Sequence, residues 1–439
     1  MAKKPKKAAV RFQSKTETGK IIGVKKTKIL VVGIGGGGGN IVSELAQRLK
    51  KATFLAANTD LQALKEVSKK VKPFLFGQNF TQGLGTGMNP ELAQLSCEKE
   101  KERIKKILQD QDLVIFISCL GGGTGAGATP VFAKICQSLR SLSYGIFTLP
   151  FKFEGEMKME IAKMALEKLR PKLNAITVIP NERIFQIIEK TTPLKTALSL
   201  INKNLAEALE GLIETIYQPG LINIDFADLK TILSGWRGKL AYLNTISLAK
   251  KEGSAREVVE KAIVSPLYPY GIKGAKGVLY NIAGQRELNL EEVSQISKII
   301  SEKAHPEAKI IFGISSASKD KKIIKTTIFA TGISAKIFDE KERKKRKIKL
   351  KHKKLVSQAP EKSKIKKTEK EKKEIEVSQQ KDKEKKEKEI QPEISIQDVK
   401  VRKNALQLKK EVEQEEKEIL EKEKFWETPA FLRKKLKVN

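Results

Sequence analysis

The sequence predicts an α/β fold built on a doubly wound parallel sheet, followed by a long helix and a smaller α+β domain. Two observations predict the first part. Apolar runs typical of buried strands alternate with helical patterns from Lys28 to about Asn174. Dense glycine clusters stand where a strand ends and a helix begins. Elements in this order form a parallel sheet whose loops meet at the carboxyl edge of the strands.

The composition is that of a soluble and strongly basic chain with several parts. It has 439 residues and a formal net charge of +34, which is enough length for two core-bearing domains and a tail. No apolar stretch approaches membrane-spanning length and the N-terminus lacks the apolar segment of a signal peptide, so we expect a cytoplasmic protein. The three cysteines and two histidines show neither metal-ligand spacing nor a catalytic pattern, so we expect them to form no metal site and expect no His-based catalysis.

The glycine run from Gly121 to Gly127 is the strongest local signal. It places five glycines in seven residues, "GGGTGAG", between the strand-like run from Leu113 to Cys119 and a helical pattern over 128–139. A tight turn needs only one or two glycines, whereas main-chain amides that approach a ligand closely need more. Because amides at a helix N-terminus attract anions, the run predicts a phosphate site.

Two further loops repeat this pattern. The first, "GIGGGGGN", follows a strand-like run that starts at Lys28, and the second, "GLGTGMNP", starts at Gly83 and precedes a helical pattern over 90–108. One such loop alone would favour a dinucleotide site, with Asp60 about 25 residues downstream as its ribose-binding acid. Three loops along one sheet edge, with no lysine in the P-loop position, instead favour a polyphosphate held by backbone amides.

Shifts in composition divide the chain into six segments. They are a basic N-terminal extension (1–27), a phosphate-binding domain (28–192), a central helix (193–219), a C-terminal α+β domain (220–338), a charged linker (339–424) and a C-terminal peptide (425–439). The extension and the linker cannot bury enough apolar area to fold, so we expect both to be disordered. The final peptide, with "FWETPAFLRKK", exposes aromatic residues that cost solubility unless they meet a partner, which indicates a binding segment.

The ordered set of motifs resembles that of the FtsZ family, the tubulin-like GTPases that form the division ring. In order, the motifs are "GIGGGGGN", "NTD", "GLGTGMNP", "GGGTGAGATP", "FKFEG", "IPN", "GLINIDFAD" and "TPAFLRKK". A single glycine motif is weak evidence, but the shared order is specific. The resemblance implies a GTP-binding domain, a central helix, a C-terminal domain, head-to-tail protofilaments at the division site in the cytoplasm, and GTP hydrolysis completed between subunits.

Carried onto this sequence, the family pattern implies a set of contacts to GTP or GDP. The phosphate-binding residues would be Gly36, Gly37, Gly38, Gly39 and Asn40 in one loop, Gly121, Gly122, Gly123, Thr124, Gly125, Ala126 and Gly127 in another, and Thr86, Gly87 and Met88 near the γ-phosphate. Glu154 would contact the ribose beside Lys158, Asn181 and Asn202 would read the base, and Mg²⁺ would lie between phosphate oxygens. The plainer alternative makes Asn40 and Glu154 helix caps and Asn181 a turn residue.

None of the glycine loops carries an obvious catalytic base. The candidates are Asp225 and Asp228 in "INIDFADLKTIL", three residues apart at a predicted helix start, so both can project towards one point. Their alternative role is to cap that helix and complement its dipole. In the FtsZ family this loop reaches the γ-phosphate of the neighbouring subunit and its carboxylates orient the attacking water, which would couple hydrolysis to assembly.

Three positions depart from the family pattern. Ala126 replaces a usual hydroxyl residue, Lys158 replaces an arginine, and Leu198 replaces an aromatic residue that often stacks on the base. The changes remove a hydroxyl hydrogen-bond donor, a planar guanidinium group and an aromatic ring that can stack, which predicts lower nucleotide affinity. Two alternatives stay open: a nucleotide-binding filament or scaffold without significant hydrolysis, and a dinucleotide-dependent oxidoreductase.

The resemblance and the charge also imply partners beyond a second copy of the chain. Tails of FtsZ proteins with a "PAFLR" segment bind membrane-anchored division adaptors such as FtsA, so we expect residues 425–439 to bind one. The basic excess has two explanations: a lysine-rich genome composition, or weak contact of the basic tails with acidic lipid or nucleic acid.

Overall fold

Eleven strands form a continuous mixed sheet in the computed structural model, which describes residues 27–189, 191–235, 237–249, 254–284, 289–316 and 323–335. In chain order the strands are β1 (Ile29–Ile34), β2 (Thr53–Asn58), β3 (Lys72–Leu75), β4 (Leu113–Cys119), β5 (Leu142–Leu149), β6 (Ala175–Pro180), β7 (Gly220–Ile222), β8 (Lys239–Ala249), β9 (Gly277–Gly284), β10 (Lys309–Ser316) and β11 (Ile323–Thr331). Their order across the sheet is β3-β2-β1-β4-β5-β6-β8-β11-β9-β10-β7.

The helices alternate with these strands. In chain order they are α1 (Gly35–Arg48), α2 (Leu61–Lys65), α3 (Gln78–Thr81), α4 (Pro90–Lys99), α5 (Lys101–Leu108), α6 (Gly123–Ser138), α7 (Glu156–Leu169), α8 (Leu194–Tyr217), α9 (Phe226–Leu233), α10 (Ser254–Ile263) and α11 (Leu290–Lys303). Short 3₁₀-helices occur at Lys152–Glu154, Arg170–Lys172 and Asn181–Gln186. Residues 1–26 and 336–439 lie outside the described chain, and so do the predictions for the linker and the C-terminal peptide.

The first half of the sheet is parallel, as the sequence predicts. Strands β3, β2, β1, β4, β5 and β6 lie side by side and every neighbouring pair is parallel. All residues of β1 and β5 are buried. Continuously apolar strands of this kind are typical of a parallel sheet covered on both faces, which explains why they read as unbroken hydrophobic runs. The doubly wound α/β fold is confirmed.

The second half of the sheet is mixed and joins the first through a short pairing. β6 and β8 pair in parallel through Ala175 with Lys239 and Ile176 with Leu240. Beyond β8, β11 runs antiparallel to both β8 and β9, whereas β9 and β10 are parallel. Helix α10 packs on β8, β11 and α11. The apolar stretches within 239–331 thus form four strands of one sheet, β8, β9, β10 and β11.

Helix α8 packs against both halves of the molecule. Its buried residues include Ile201, Leu205 and Leu209, which recur at the spacing of one helix face. The helix contacts α1 on one side and β8 and β11 on the other. At Gly211 it lies close against Thr245 and Thr327, whose Oγ1 atoms are 3.0 Å apart and share a hydrogen bond.

Two helices differ from the sequence prediction. Helix α6 begins at Gly123, five residues before the predicted start, because its first turn is built from the glycine loop itself. The pattern over 90–108 forms two helices, α4 and α5, with a break at Glu100 (φ −107°, ψ 22°). The Oε1 atom of Glu100 accepts a hydrogen bond from the Gly77 amide at 2.7 Å, so this side chain serves the neighbouring loop where the helix is interrupted.

We predict that Gly211→Ala destabilises the protein, although alanine is favoured over glycine in a helix by about 1 kcal/mol. A Cβ at this position would overlap the hydroxyls of Thr245 and Thr327, and overpacking of this kind typically costs about 1–3 kcal/mol. The measurement is the urea midpoint of nucleotide-free protein. Gly39→Ala in α1 is the matched control, because its Cβ would meet Val67 at an ordinary 3.7 Å. An equal rise of the urea midpoint in both variants would contradict close packing at Gly211.

We also predict that Glu210→Gln stabilises the protein near neutral pH. Burial raises the pKa of Glu210, as do Glu214 and Glu207, against the lowering effect of Lys325 and Arg48. The pKa of Glu210 in the folded protein therefore lies above its unfolded value of about 4.3. Ionisation of this carboxyl then lowers the free energy of unfolding as the pH rises through the two pKa values.

The melting temperature of Glu210→Gln should therefore exceed that of the unchanged protein at pH 7, and the difference should shrink near pH 4. Glu66→Gln, at an exposed position, removes the same charge and should change little at either pH. If Glu210→Gln raises the melting temperature equally at pH 7 and near pH 4, the ionisation of Glu210 is not the cause of the increase.

Candidate functional site

A cavity of about 680 Å³ opens at the carboxyl edge of the parallel strands. Its wall includes the last residues of β1, β2 and β4, which are Ile34, Asn58 and Cys119, and parts of all three glycine loops. The edge where parallel strands end is the usual ligand site of a doubly wound sheet, and the volume is that of a typical small-molecule site. The three loops that the sequence singled out therefore surround one space.

The structure divides the predicted site residues into two groups. Those that line the cavity are Gly36, Gly37, Thr86, Gly87, Met88, Gly121, Gly122, Gly123, Thr124, Gly125, Glu154, Lys158 and Asn181. Those that lie elsewhere are Gly38, Gly39, Asn40, Ala126, Gly127, Asn202, Asp225 and Asp228. Leu198, one of the departures from the family pattern, also lines the cavity.

The glycines serve two different purposes. A Cβ on Gly38 would come within 2.6 Å of the Ile117 carbonyl oxygen, and one on Gly125 within 2.6 Å of Ser118 Oγ, so these glycines allow α1 and α6 to pack directly against β4. A Cβ on Gly36 or Gly122 would meet none of the described residues within 4 Å. Part of each run is therefore needed for packing, and part presents bare backbone to the cavity.

Two helix N-termini meet at this cavity. In the described chain, neither α1 nor α6 has a side-chain hydrogen bond from its N-cap residue or an acidic residue in its first turn. The first amides of a helix lack intrahelical partners, and the helix dipole adds positive potential there. Two uncapped N-termini side by side form a site that favours a polyanion such as a chain of phosphates.

Three buried threonine hydroxyls join the loops below the cavity. Thr124 Oγ1, at the start of α6, lies 2.8 Å from Thr59 Oγ1 and 3.2 Å from Thr86 Oγ1. These contacts link the end of β2, the loop before α4 and the start of α6. Thr86 and Thr124 were predicted from the sequence and Thr59 was not, although its position in "NTD" directly after a strand was the available signal.

Glu154 and Lys158 form an ion pair on one wall of the cavity. Glu154 Oε2 accepts a hydrogen bond from Lys158 Nζ at 3.0 Å, and its Oε1 accepts one from the Phe151 amide at 2.9 Å. The second contact caps the turn Lys152–Glu154, so the capping role is present alongside any contact with a ligand. Phe153 stacks on Phe151 at 4.8 Å between ring centroids and is 69% exposed at the cavity wall.

A small polar network lies where α1 and α8 pack together. Glu44 Oε2 accepts a hydrogen bond from Asn202 Nδ2 at 2.9 Å, and Glu44 Oε1 accepts one from Ser199 Oγ at 2.7 Å. Leu198, next to Ser199, lines the cavity. Asn202 was predicted from the sequence and Glu44 was not, because the two are 158 residues apart and no local spacing connects them.

Asp225 and Asp228 form a capping box at the start of α9. Asp225 Oδ1 accepts a hydrogen bond from the Asp228 amide at 2.9 Å, and Asp228 Oδ2 accepts one from the Asp225 amide at 3.0 Å. The alternative role as helix caps is therefore present in the single chain. Neither carboxylate lines the cavity described above.

Three findings limit the chemistry of the described chain. Burial raises the pKa of the Cys119 thiol at the cavity wall, so the thiol stays protonated near neutral pH. No cluster of three His, Cys, Asp or Glu residues within the described ranges is arranged to hold a metal ion. Over the same residues, no helix is long and apolar enough to cross a membrane.

Comparison with known proteins gives one consistent result. Residues 28–189 match the model of the Tubulin/FtsZ family GTPase domain, and residues 241–334 match that of the FtsZ family C-terminal domain. The chain is 38% identical over 314 residues to cell division protein FtsZ 1 of Methanocaldococcus jannaschii, an alignment that covers 71% of this chain and 85% of that protein.

Solved structures agree with these matches. An empty FtsZ dimer of M. jannaschii superimposes with a TM-score of 0.62 at 35% identity, covering 71% of this chain and 89% of that one. The fold is shared more widely, since CetZ2 of Haloferax volcanii, a GTPγS-bound protofilament, gives a TM-score of 0.64 at 19% identity over 74% of this chain and all of its own. With its cavity, glycine loops and both family domains, the chain belongs to the FtsZ family of tubulin-like, polymerising cell division GTPases.

Proposed function

We propose that this chain binds GTP in the cavity and hydrolyses it only when a second copy brings Asp225 and Asp228 to the γ-phosphate. The observation that carries the proposal is the separation of the two halves of the chemistry. The anion-binding amides lie at the cavity, whereas the two candidate aspartates lie outside it. A single chain would then hold the nucleotide without completing its active site.

The carboxylates at the cavity already have other partners. Among the described residues that line it, the carboxylates are Asp60 and Glu154. Asp60 caps α2 by accepting hydrogen bonds from the amides of Gln62 at 2.8 Å and Ala63 at 3.1 Å, and Glu154 is held by Lys158 and the Phe151 amide. Both oxygens of Glu154 are thus engaged, and the second oxygen of Asp60 is the one that would hold Mg²⁺, so neither carboxylate is left as a general base, which supports delivery of the base by another subunit.

The capping box fits Asp225 and Asp228 for a catalytic role. The box uses Oδ1 of Asp225 and Oδ2 of Asp228, and a carboxylate has a second oxygen that can accept a hydrogen bond from water. Because each side chain is fixed by a backbone amide, the remaining oxygens are held in place before a nucleotide arrives. Capping and catalysis are thus compatible in the same two residues.

The phosphates would be bound mainly by backbone. The uncapped starts of α1 and α6 would donate amide hydrogen bonds, and Thr124 would add a hydroxyl. The oxygen donors of Asp60 and Thr86 at the same wall are of the hard type that Mg²⁺ prefers, and they would hold it together with phosphate oxygens. When bound, Mg²⁺ neutralises developing charge on the phosphates.

The surface around the cavity suits a contact with a second copy. Exposed apolar residues surround the opening, including Leu84 (83% exposed), Phe153 and Leu194 (58% exposed). Leu221, just before the Asp225 loop, is 85% exposed. Large apolar residues left in solvent at both places are typical of interaction sites, so we propose head-to-tail protofilaments in which this loop covers the cavity of the next subunit.

The finer partners rest on sequence alone. We propose that residues 425–439 bind a membrane-anchored division adaptor such as FtsA, which would bring the filament to the division site in the cytoplasm. The basic segments would contact acidic lipid or nucleic acid weakly, through charge and with steep salt dependence. All of these residues lie outside the described chain.

We predict that Asp228→Asn retains GTP binding and loses about 10²- to 10⁴-fold in hydrolysis rate, as expected for a lost general base. Asparagine can still accept the Asp225 amide hydrogen bond, so the cap is preserved while the charge is removed. Phosphate release and light scattering are measured together over a range of protein concentrations.

In the unchanged protein, turnover per chain should rise above a critical concentration. Turnover that does not depend on concentration would contradict the shared site. Asp110→Asn, which removes a carboxylate in a turn far along the sequence from α9, serves as the control for charge.

We further predict that deletion of residues 425–439 spares GTP hydrolysis and filament formation but abolishes recruitment to adaptor-coated membranes. Phe431→Ala should account for most of the loss, because an aromatic anchor usually dominates a short docking segment. The control is a chain whose last 15 residues, taken from the printed sequence, are scrambled at constant composition. Equal recruitment of the deleted and full-length proteins would rule out the peptide as the binding segment.

A further inference from the structure

The network of Glu44, Ser199 and Asn202 has a defined polarity. Near neutral pH a carboxylate only accepts hydrogen bonds. The atom of Asn202 that faces Glu44 Oε2 at 2.9 Å is therefore the amide nitrogen Nδ2. Ser199 donates to the other carboxylate oxygen at 2.7 Å and so fixes the plane of the carboxylate. The Asn202 oxygen, Oδ1, is consequently held as an acceptor for something other than Glu44.

The network lies beside the proposed nucleotide cavity. Glu44 is one helical turn after Asn40 on α1, and Asn202 is one turn after Leu198 on α8, so each pair shares a helix face. Leu198 lines the cavity, and α1 packs against α8. Glu44 and Asn202 are both only partly buried. The junction of α1 and α8 is thus open to a flat ligand that extends from the phosphate loops.

We propose that Glu44 is a positioning residue that sets the guanine preference of this site, by holding the Asn202 amide with its oxygen towards the base. The proposal rests on the GTP site proposed above and deepens it. Guanine presents N1–H and an amino group as neighbouring donors, whereas adenine presents an unprotonated N1 at the corresponding place. A fixed acceptor matches the first base and opposes the second.

Without Glu44 the preference would be lost because an asparagine side chain can turn over. Its oxygen and nitrogen are nearly the same in size, so its orientation is set by its hydrogen-bond partners. An amide free to rotate offers a donor to adenine as readily as an acceptor to guanine. Glu44 therefore weakens the binding of adenine as well as strengthening that of guanine, and such a combination is a common basis of specificity.

The test measures competition by GDP, ADP and IDP for the full-length protein, so that hydrolysis plays no part. Glu44→Gln should lower the preference for GDP over ADP by about tenfold, which corresponds to about 1.4 kcal/mol, since glutamine can face Asn202 with either end of its amide. Ser199→Ala should give a smaller change in the same direction. Glu207→Gln removes the same charge from α8, at a position off the Asn202 face, and should leave the ratio unchanged.

A reversed pair separates positioning from packing. In the double variant Glu44→Gln with Asn202→Asp, the glutamine nitrogen can donate to one aspartate oxygen, and the other aspartate oxygen remains an acceptor for the base. The preference for GDP over ADP should return to at least that of the unchanged protein. IDP keeps N1–H and lacks the amino group. If N1–H is the group recognised, the affinity for IDP should change in parallel with the affinity for GDP across the variants.

The outcomes are distinct. If Glu44→Gln weakens GDP and ADP equally, Glu44 only packs α1 against α8 and the inference is wrong. If the ratio falls but the reversed pair does not restore it, the polarity argument is wrong. If the unchanged protein binds neither GDP nor GTP, the proposed function itself fails, whatever the variants show.

Discussion

The close approach of α1 and α6 to strand β4 is the constraint on which the site depends. Gly38 lies against the Ile117 carbonyl and Gly125 against Ser118, at distances that no other residue type allows. Helix α1 begins directly after β1 and α6 begins after a short glycine turn at the end of β4, so their uncapped first turns face the same space. A side chain at either contact would push a helix away from the sheet and separate the two sets of amides. Packing and anion binding therefore depend on the same two glycine runs.

The elements that the sequence predicted best are a strand with an unbroken apolar run and the long central helix. The strand at Leu113–Cys119 was predicted at its observed bounds, and the central helix at nearly its observed bounds, because uninterrupted apolar runs and a long helical period are strong signals. The start of α6 was not predicted, since glycine has low helix propensity and five of them suggest a loop. Tertiary packing against β4 overrides that propensity.

The parts of the site that the sequence could not predict are those made by distant residues. Thr59 and Glu44 take part through contacts over 65 and 158 residues. The position of Thr59 in "NTD" after a strand was a signal for its loop, but no local pattern indicates its partner, and none marks Glu44. The motifs identified which loops meet, but the hydrogen-bond partners follow only from how α1, α8 and the strand ends are placed. The aspartates of α9 show the reverse case, because both roles considered from sequence can hold in one geometry.

Helix α8 connects the part of the molecule beside the cavity to the second half of the sheet. Near its start, Ser199 and Asn202 bond to Glu44 on α1, beside the cavity. Near its end, Gly211 lies against the threonines of β8 and β11, and Glu214 pairs with Lys325 of β11 at 2.8 Å. A rigid helix that is bonded to one half near one end and packed closely on the other half near its other end can couple the positions of the two halves. A shift of α1 caused by a nucleotide would thus change the position of β11. Strand β11 lies beside β9 in the sheet, and α9, which begins with the capping box of Asp225 and Asp228, packs on β9.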